Sequence, residues 1–145
     1  MTEQVTLETV GIADRVPRGT VGLRFTDAPP FVVTVVREGQ EAKDFPGSNL
    51  FACLHRVRGE LEDEGLLLCC QGARPDVTPS GLLNGMSGGR RVYTFVPGAG
   101  RVDEETVDIF APARADQVVT VEEQRVAIFR LHGLPDSVMR DPDGG

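Results

Sequence analysis

Several kinds of chemistry are missing from this chain. No apolar run approaches the ~20 residues that a membrane-spanning helix requires, and the start, Met-Thr-Glu-Gln-Val-Thr-Leu-Glu, has acids where an export signal would carry basic residues. A protein of the cytoplasm is therefore expected, with no membrane contact. Positive charge is scarce: the net charge is −7 with a pI near 4.8, which repels a polyanion over most of the surface and argues against nucleic acid as a partner. Lys43 is the one lysine among fifteen basic residues, a bias that genome composition explains as readily as binding.

Only three cysteines and two histidines are available. Cys69 and Cys70 are neighbours that would face opposite sides of a strand, so free buried thiols in a reducing compartment are expected. Adjacent cysteines also lack the spacing that lets two ligands converge on one tetrahedral ion, and Cys53 and His55 do not repair that; neither a metal nor a cofactor is expected. The phosphate-loop pattern G-x-x-x-x-G-K-[ST] and the nucleophile elbow G-x-S-x-G are absent. Ser80 lies in Thr-Pro-Ser-Gly, and nothing in the sequence brings it to His132 and an acid as a triad needs.

With 145 residues, 40% of them hydrophobic and 26% charged, the chain suits one soluble domain over 1–134, with 135–145 as a disordered tail. The terminal Gly144-Gly145 has the form of ubiquitin-like tails, but the body shows no matching pattern. Val5 to Val10 alternates weakly, as an edge strand would, and Gly11 to Gly19 reads as a loop. Val21–Thr26 and Phe31–Val36 read as two strands around Asp-Ala-Pro-Pro. Ser48 is placed to cap a helix to Glu64, with Leu50, Leu54, Val57 and Leu61 on one face and Gly65 to end it. Leu66–Cys70 reads as a central strand, Arg91–Val96 as another, Pro97–Gly100 as a turn and Thr106–Phe110 as a further strand. Thr120 and Glu123 form a capping box for a second helix carrying Val121, Ile128 and Leu131 towards His132 and Gly133. This order, without strict strand–helix alternation, predicts an α+β fold: a single domain, mostly antiparallel sheet, with two helices packed on one face.

Between the strands at 66–70 and 91–96 runs a loop from Gln71 to Gly89, 19 residues, longer than ordinary connections in a compact domain. The segment Gln71–Arg91 holds three arginines, Arg74, Arg90 and Arg91, against one acid, Asp76. Gly88-Gly89 could turn backbone N–H groups to one point, and the arginines could complete a pocket for a carboxylate or phosphate. The plainer reading pairs Arg74 with Asp76 and leaves Arg90 and Arg91 solvated. Tyr93, the only tyrosine, shares a strand face with Arg91 and Phe95 at the loop's mouth. Arg74, Asp76, Ser80, Asn84, Arg90, Arg91 and Tyr93 are thus the residues expected to meet a ligand or partner. Cys70, beside the arginines, would be a nucleophile if its pKa were lowered and an inert core thiol otherwise. Glu60, Glu62, Asp63 and Glu64 crowd the end of the first helix, where the dipole disfavours them; Arg56 and Arg58 precede two of them by one turn. They read as a solvated acidic face or as a contact for a basic partner.

Gly72-Ala73-Arg74, Asp76-Val77, Pro79-Ser80-Gly81, Met86-Ser87-Gly88-Gly89-Arg90 and Tyr93, followed by Val107-Asp108-Ile109-Phe110 and Thr120-Val121-Glu122-Glu123-Gln124, resemble a family of small uncharacterised bacterial proteins. The family pattern has a methionine after Pro-Ser-Gly, where this chain has Leu82, and ends its first strand in a single cysteine or an asparagine, where this chain has Cys70-Gln71. The resemblance implies one domain with a prominent loop and transfers no catalytic residue. Two functions are expected on these grounds: a binding or accessory protein, of the immunity type for example, that takes a protein partner or an anionic ligand through residues 71–93; or a small enzyme acting on an anionic substrate there. No oligomeric state is implied.

Overall fold

The computed structural model describes residues 2–78, 87–96 and 101–131. In chain order the elements are β1 (Thr2–Gly11), β2 (Pro17–Thr26), β3 (Phe31–Val36), β4 (Lys43–Gly47), α1 (Leu50–Asp63), β5 (Leu66–Leu68), a 3-10 turn (Gln71–Ala73), β6 (Val77–Thr78), β7 (Arg91–Phe95), β8 (Val102–Asp108) and α2 (Val121–Leu131). The described strands form two antiparallel sheets, β4-β3-β2-β1-β5 and β6-β7-β8. The fold is α+β, as the order of elements predicts, with the strands divided between two sheets. The expected turn at 97–100, His132, Gly133 and the tail at 135–145 lie outside the described residues.

Period-two alternation builds the first sheet. Leu7, Val21, Leu23, Phe25, Val33 and Val35 are all buried, and register places Leu7 opposite Val21 and Phe25 opposite Val33. Against them lies α1, whose Leu50, Leu54, Val57 and Leu61 are each at most 2% exposed; such side chains contribute about 1.5–3 kcal/mol apiece. Phe25 stacks on Phe110, just past β8, with centroids 3.9 Å apart. That contact joins the second sheet's end to the first sheet.

Several local expectations are corrected. β1 is ten residues long and lies between β2 and β5, so it is internal rather than an edge. β5 is an edge strand, three residues long, and not the central strand its apolar run suggested. The run is apolar because it is covered: Leu67 and Leu68 belong to the core, and residues 111–113 close over the chain just beyond β5, with Gln71 N donating to Ala111 O, Ala113 N to Cys69 O, and Cys70 bridged to Pro112. The loop after β1 is shorter than expected, because β2 begins at Pro17. β8 includes the acidic stretch Asp103–Glu105, which the sequence placed before a strand at 106.

The cap of α1 is Asn49, one residue after Ser48: Asn49 is extended and its Oδ1 accepts from Ala52 N at 2.8 Å. Gly65, at φ +83°, follows the helix end. The acids there are exposed in part, and three of them also have partners. Glu60 pairs with Lys43, Glu64 with Arg37, and Glu62 turns inward to α2; Asp63 remains exposed. Two of the four acids thus pair across to residues at the ends of neighbouring strands while keeping about 40% of their side chains exposed, and a third reaches the start of α2.

Candidate functional site

The first part of the expected loop is folded onto the domain. Gln71–Ala73 make a 3-10 turn, and Val77 and Thr78 pair with Thr94 and Tyr93 of β7; Gly72, Ala73, Val77 and Thr78 are buried. A structureless excursion of 19 residues is therefore ruled out for this part. Arg74 donates from Nε to Asp76 Oδ1 at 2.9 Å, from Nη2 to Oδ2 at 2.5 Å and from Nη1 to Gln71 Oε1 at 2.7 Å. The pair is bidentate and local, the plainer of the two readings.

Facing this segment is α2, whose start forms the expected capping box: Thr120 N donates to Glu123 Oε1 and Glu123 N to Thr120 Oγ1. Glu62 adds a carboxylate from α1, accepting from Val121 N at 2.9 Å, where a helix N-terminus favours negative charge. Burial nevertheless pushes the Glu62 carboxyl up.

Behind the capping box lies a buried polar seam. Gln124 is 0% exposed and Arg58 1%. Gln124 Nε2 donates to Gly72 O at 2.7 Å and Arg74 O at 2.8 Å. Its Oε1 accepts from Arg58 Nη1 at 2.6 Å and lies 2.9 Å from His55 Nε2, which acts as the donor because Oε1 is acceptor-only. Arg58 also donates to Val119 O at 2.9 Å and, more weakly, Gly72 O at 3.3 Å. Burial lowers the pKa of Arg58 and of His55. Spacing along the sequence pairs Arg58 with Glu62 on a solvated face and does not single out Gln124. Periodicity nevertheless holds the signal: Arg58 falls one turn from Leu54 and Leu61, and Gln124 one turn from Val121 and Ile128, on the apolar faces of their helices.

The seam holds the two walls of a groove of about 630 Å³, with Pro75 and Asp76 on one side and Glu122, Glu123, Val126, Ala127 and Arg130 of α2 on the other. Its floor is apolar and its rim charged.

A separate concavity of about 320 Å³ is lined by Thr26, Asp27, Leu50, Ser87, Arg90, Arg91 and Asp108. Arg90 donates from Nε and Nη2 to Asp108 Oδ2 at 3.2 and 3.0 Å, and its Nη1 is 2.6 Å from Glu3 Oε2. It lies over the Phe25 ring at 5.0 Å, and Asp108 raises its pKa. Arg91 donates from Nε and Nη2 to Oγ1 and O of Thr106 at 2.6 and 2.9 Å. Among the described residues no carboxylate lies within ion-pair distance of it. The positive charge counted along the sequence is thus largely cancelled in space by Asp76, Asp108 and Glu3.

Gly88 and Gly89 take positive φ, +64° and +85°, and sit where side chains would not fit. A Cβ on Gly88 would meet the Phe31 ring at 2.6 Å, and one on Gly89 would meet Asn49 Oδ1 at 2.9 Å. Gly88 O accepts from Leu50 N at 2.6 Å. The glycine pair docks the chain onto the first turn of α1.

The expected site residues are therefore divided. Arg90 and Arg91 share one concavity, Asp76 lines the other with Arg74 bound to it, and half-buried Tyr93 lines neither. Ser80, Asn84 and His132 lie outside the described residues. Cys53, Cys69 and Cys70 are free and buried; burial pushes the Cys70 thiol up to about 11, which favours the inert core thiol over the activated nucleophile. Among the described residues no group of three or more His, Cys, Asp or Glu is placed to hold a metal, and no helix is long and apolar enough to cross a membrane. No protein-family model matches the chain, and no curated protein matches it.

Proposed function

We propose that this chain is a binding or accessory protein that meets a protein partner through the groove between residues 74–76 and α2. The observation that carries this reading is the groove itself: about 630 Å³, with an apolar floor of Pro75, Val126 and Ala127, its two walls tied together by Gln124. A preformed apolar concavity with a few polar groups at its edge is the usual form of a binding site. An anionic ligand has less support there, because the rim sets Asp76, Glu122 and Glu123 against Arg130. The three unbonded, buried thiols fit a reducing cytoplasm as the setting, and an immunity-type or other accessory role is compatible with a domain whose working surface is a groove.

A second reading places an anionic small molecule, bound or turned over, in the 320 Å³ concavity; the observation favouring it is that Arg91 is oriented by Thr106 with no carboxylate within ion-pair distance among the described residues. One experiment separates the two. Tagged wild type, Ala127→Glu and Arg91→Glu proteins, each verified as folded by circular dichroism, are used to capture partners from host lysate, followed by quantitative and native mass spectrometry. The groove reading expects a protein retained by wild type and by Arg91→Glu and lost with Ala127→Glu. Retention by all three sinks it, and a metabolite lost only with Arg91→Glu transfers the function to the second concavity.

A further inference from the structure

We infer that the segment taken by the groove is a partner helix of about two turns, apolar on one side and flanked by lysine or arginine. The inference rests on the groove being the working surface. Its wall on α2 consists of two adjacent rows at helical spacing: Glu122, Val126 and Arg130 form one, Glu123 and Ala127 the other. The furrow between two such rows receives a ridge from a second helix, with axes about 8–10 Å apart. Ala127, with no side chain beyond Cβ, leaves room for close approach in that furrow.

The length agrees. From Glu122 to Arg130 the helix rises about 12 Å, roughly two turns of an opposing helix.

The opposite wall argues against an added strand. Pro75 has no N–H to donate, and the carbonyls of Gly72 and Arg74 already accept from Gln124. A helix satisfies its own backbone and asks nothing of that wall.

Charge selects the flanks. Three of the four ionic residues lining the groove are acidic, on a body of net charge −7. The Glu122 side chain is 72% exposed, and its ion pair with Arg125, at 4.0 Å, is long, so a partner's cation can share the carboxylate at the rim. Basic residues on the partner would be drawn to the Glu122–Glu123 end, and acidic ones repelled.

The test uses three synthetic peptides of about 14 residues, roughly the length at which an isolated helix begins to hold: one with a leucine face and lysine flanks, the same leucine face with glutamate flanks, and a scramble of the lysine peptide. Fluorescence anisotropy measures affinity, and amide chemical shifts locate the contact. The lysine peptide is expected to bind about tenfold or more tighter than the glutamate peptide, with the gap narrowing in about 0.5 M salt. Its shifts should centre on Val126 and Ala127. Glu122→Gln should weaken it severalfold, and Ala127→Glu should abolish it. Equal binding of the glutamate peptide, equal binding of the scramble, or shifts centred elsewhere would overturn the inference. If no peptide binds while Ala127→Glu still loses its captured protein, the partner helix is wrong and the groove function stands. If the lysine peptide binds the groove but no captured protein depends on Ala127, the groove's preference stands and the proposed function falls.

Discussion

Arg58 and Arg90 are both fixed guanidiniums, held by opposite means. Arg58, at the seam between α1, the 3-10 turn and α2, is 1% exposed and, among the described residues, bonds to neutral oxygens; Glu62 attracts it from further away. Arg90, on the rim of the second concavity near β8, keeps about a third of its side chain in water and is held by Asp108 and Glu3. A buried cation without a contacting anion depends on every acceptor being in place, because nothing else repays its desolvation. A rim pair is screened and replaceable by water. The seam should therefore fix the shape of the groove, while the rim tolerates change.

The sharpest way to break this contrast is Arg58→Met, which keeps the apolar stem and removes the guanidinium. The acceptors Gln124 Oε1 and Val119 O would stay buried with a bond missing, each costing about 1–3 kcal/mol. A loss of about 3 kcal/mol or more is expected from urea unfolding, with partial recovery in Arg58→Lys, which restores charge without the planar fork. Wild-type stability in Arg58→Met would show that the seam is only packing. Gln124→Leu comes next, at about 2 kcal/mol, because it removes the donor to Arg74 O and the shorter of two bonds to Gly72 O. Faster amide hydrogen exchange at residues 72–78 should accompany it, since Gln124 ties that wall to α2; unchanged exchange would separate the seam from the groove.

Gly88→Ala tests the docking of the rim onto α1. Positive φ and a ring atom 2.6 Å from the new Cβ predict a loss of about 1–2 kcal/mol. A neutral result in thermal unfolding would mean that this turn is free to move.

A smaller effect is titratable. His55, packed against Phe51 and donating to Gln124 beside Arg58, has its pKa lowered from 6.5, first by burial. Its native state favours the neutral ring, so its contribution is complete above the unfolded pKa and is lost as pH falls below 6.5 through the lowered folded value. Glu62 acts in the opposite sense: its raised pKa gives a contribution present below 4.5 and lost as pH rises. Stability measured in His55→Gln should lose the first dependence and keep the second. An unchanged profile between neutral pH and the carboxylate range would remove His55 from the seam's electrostatics.

How far the sequence foretells these regions depends on the range of the interactions. The face of α1, the Thr120–Glu123 box and the Arg74–Asp76 pair are local, and each is readable from spacing within one turn. The seam is half readable: the apolar faces point to Arg58 and Gln124, but their acceptors come from residues many positions away. The rim reads falsely as a positive patch because Asp108 and Glu3, which neutralise Arg90, are 18 and 87 residues distant. β5 misleads for a related reason, since a covered edge and a central strand demand the same apolar residues. The groove leaves no sequence signal, because it is the space between two walls.

The last contrast lies within the rim. Arg90 and Arg91 are adjacent in sequence, yet Arg90 is chelated by Asp108, bonded to Glu3 and stacked over Phe25, whereas the guanidinium of exposed Arg91 bonds, among the described residues, to Thr106. Truncating Arg90 to alanine should cost about 1 kcal/mol, the upper range for a partly exposed ion pair, and Arg91→Ala no more than about 0.5 kcal/mol. Salt should shrink the first difference and leave the second nearly unchanged, because Arg91 has no ion pair to screen among the described residues. The readout is the denaturation midpoint of both variants at low and high ionic strength. A larger loss for Arg91→Ala would reverse the order and show that the Thr106 contacts, rather than the carboxylates, hold β7 to β8.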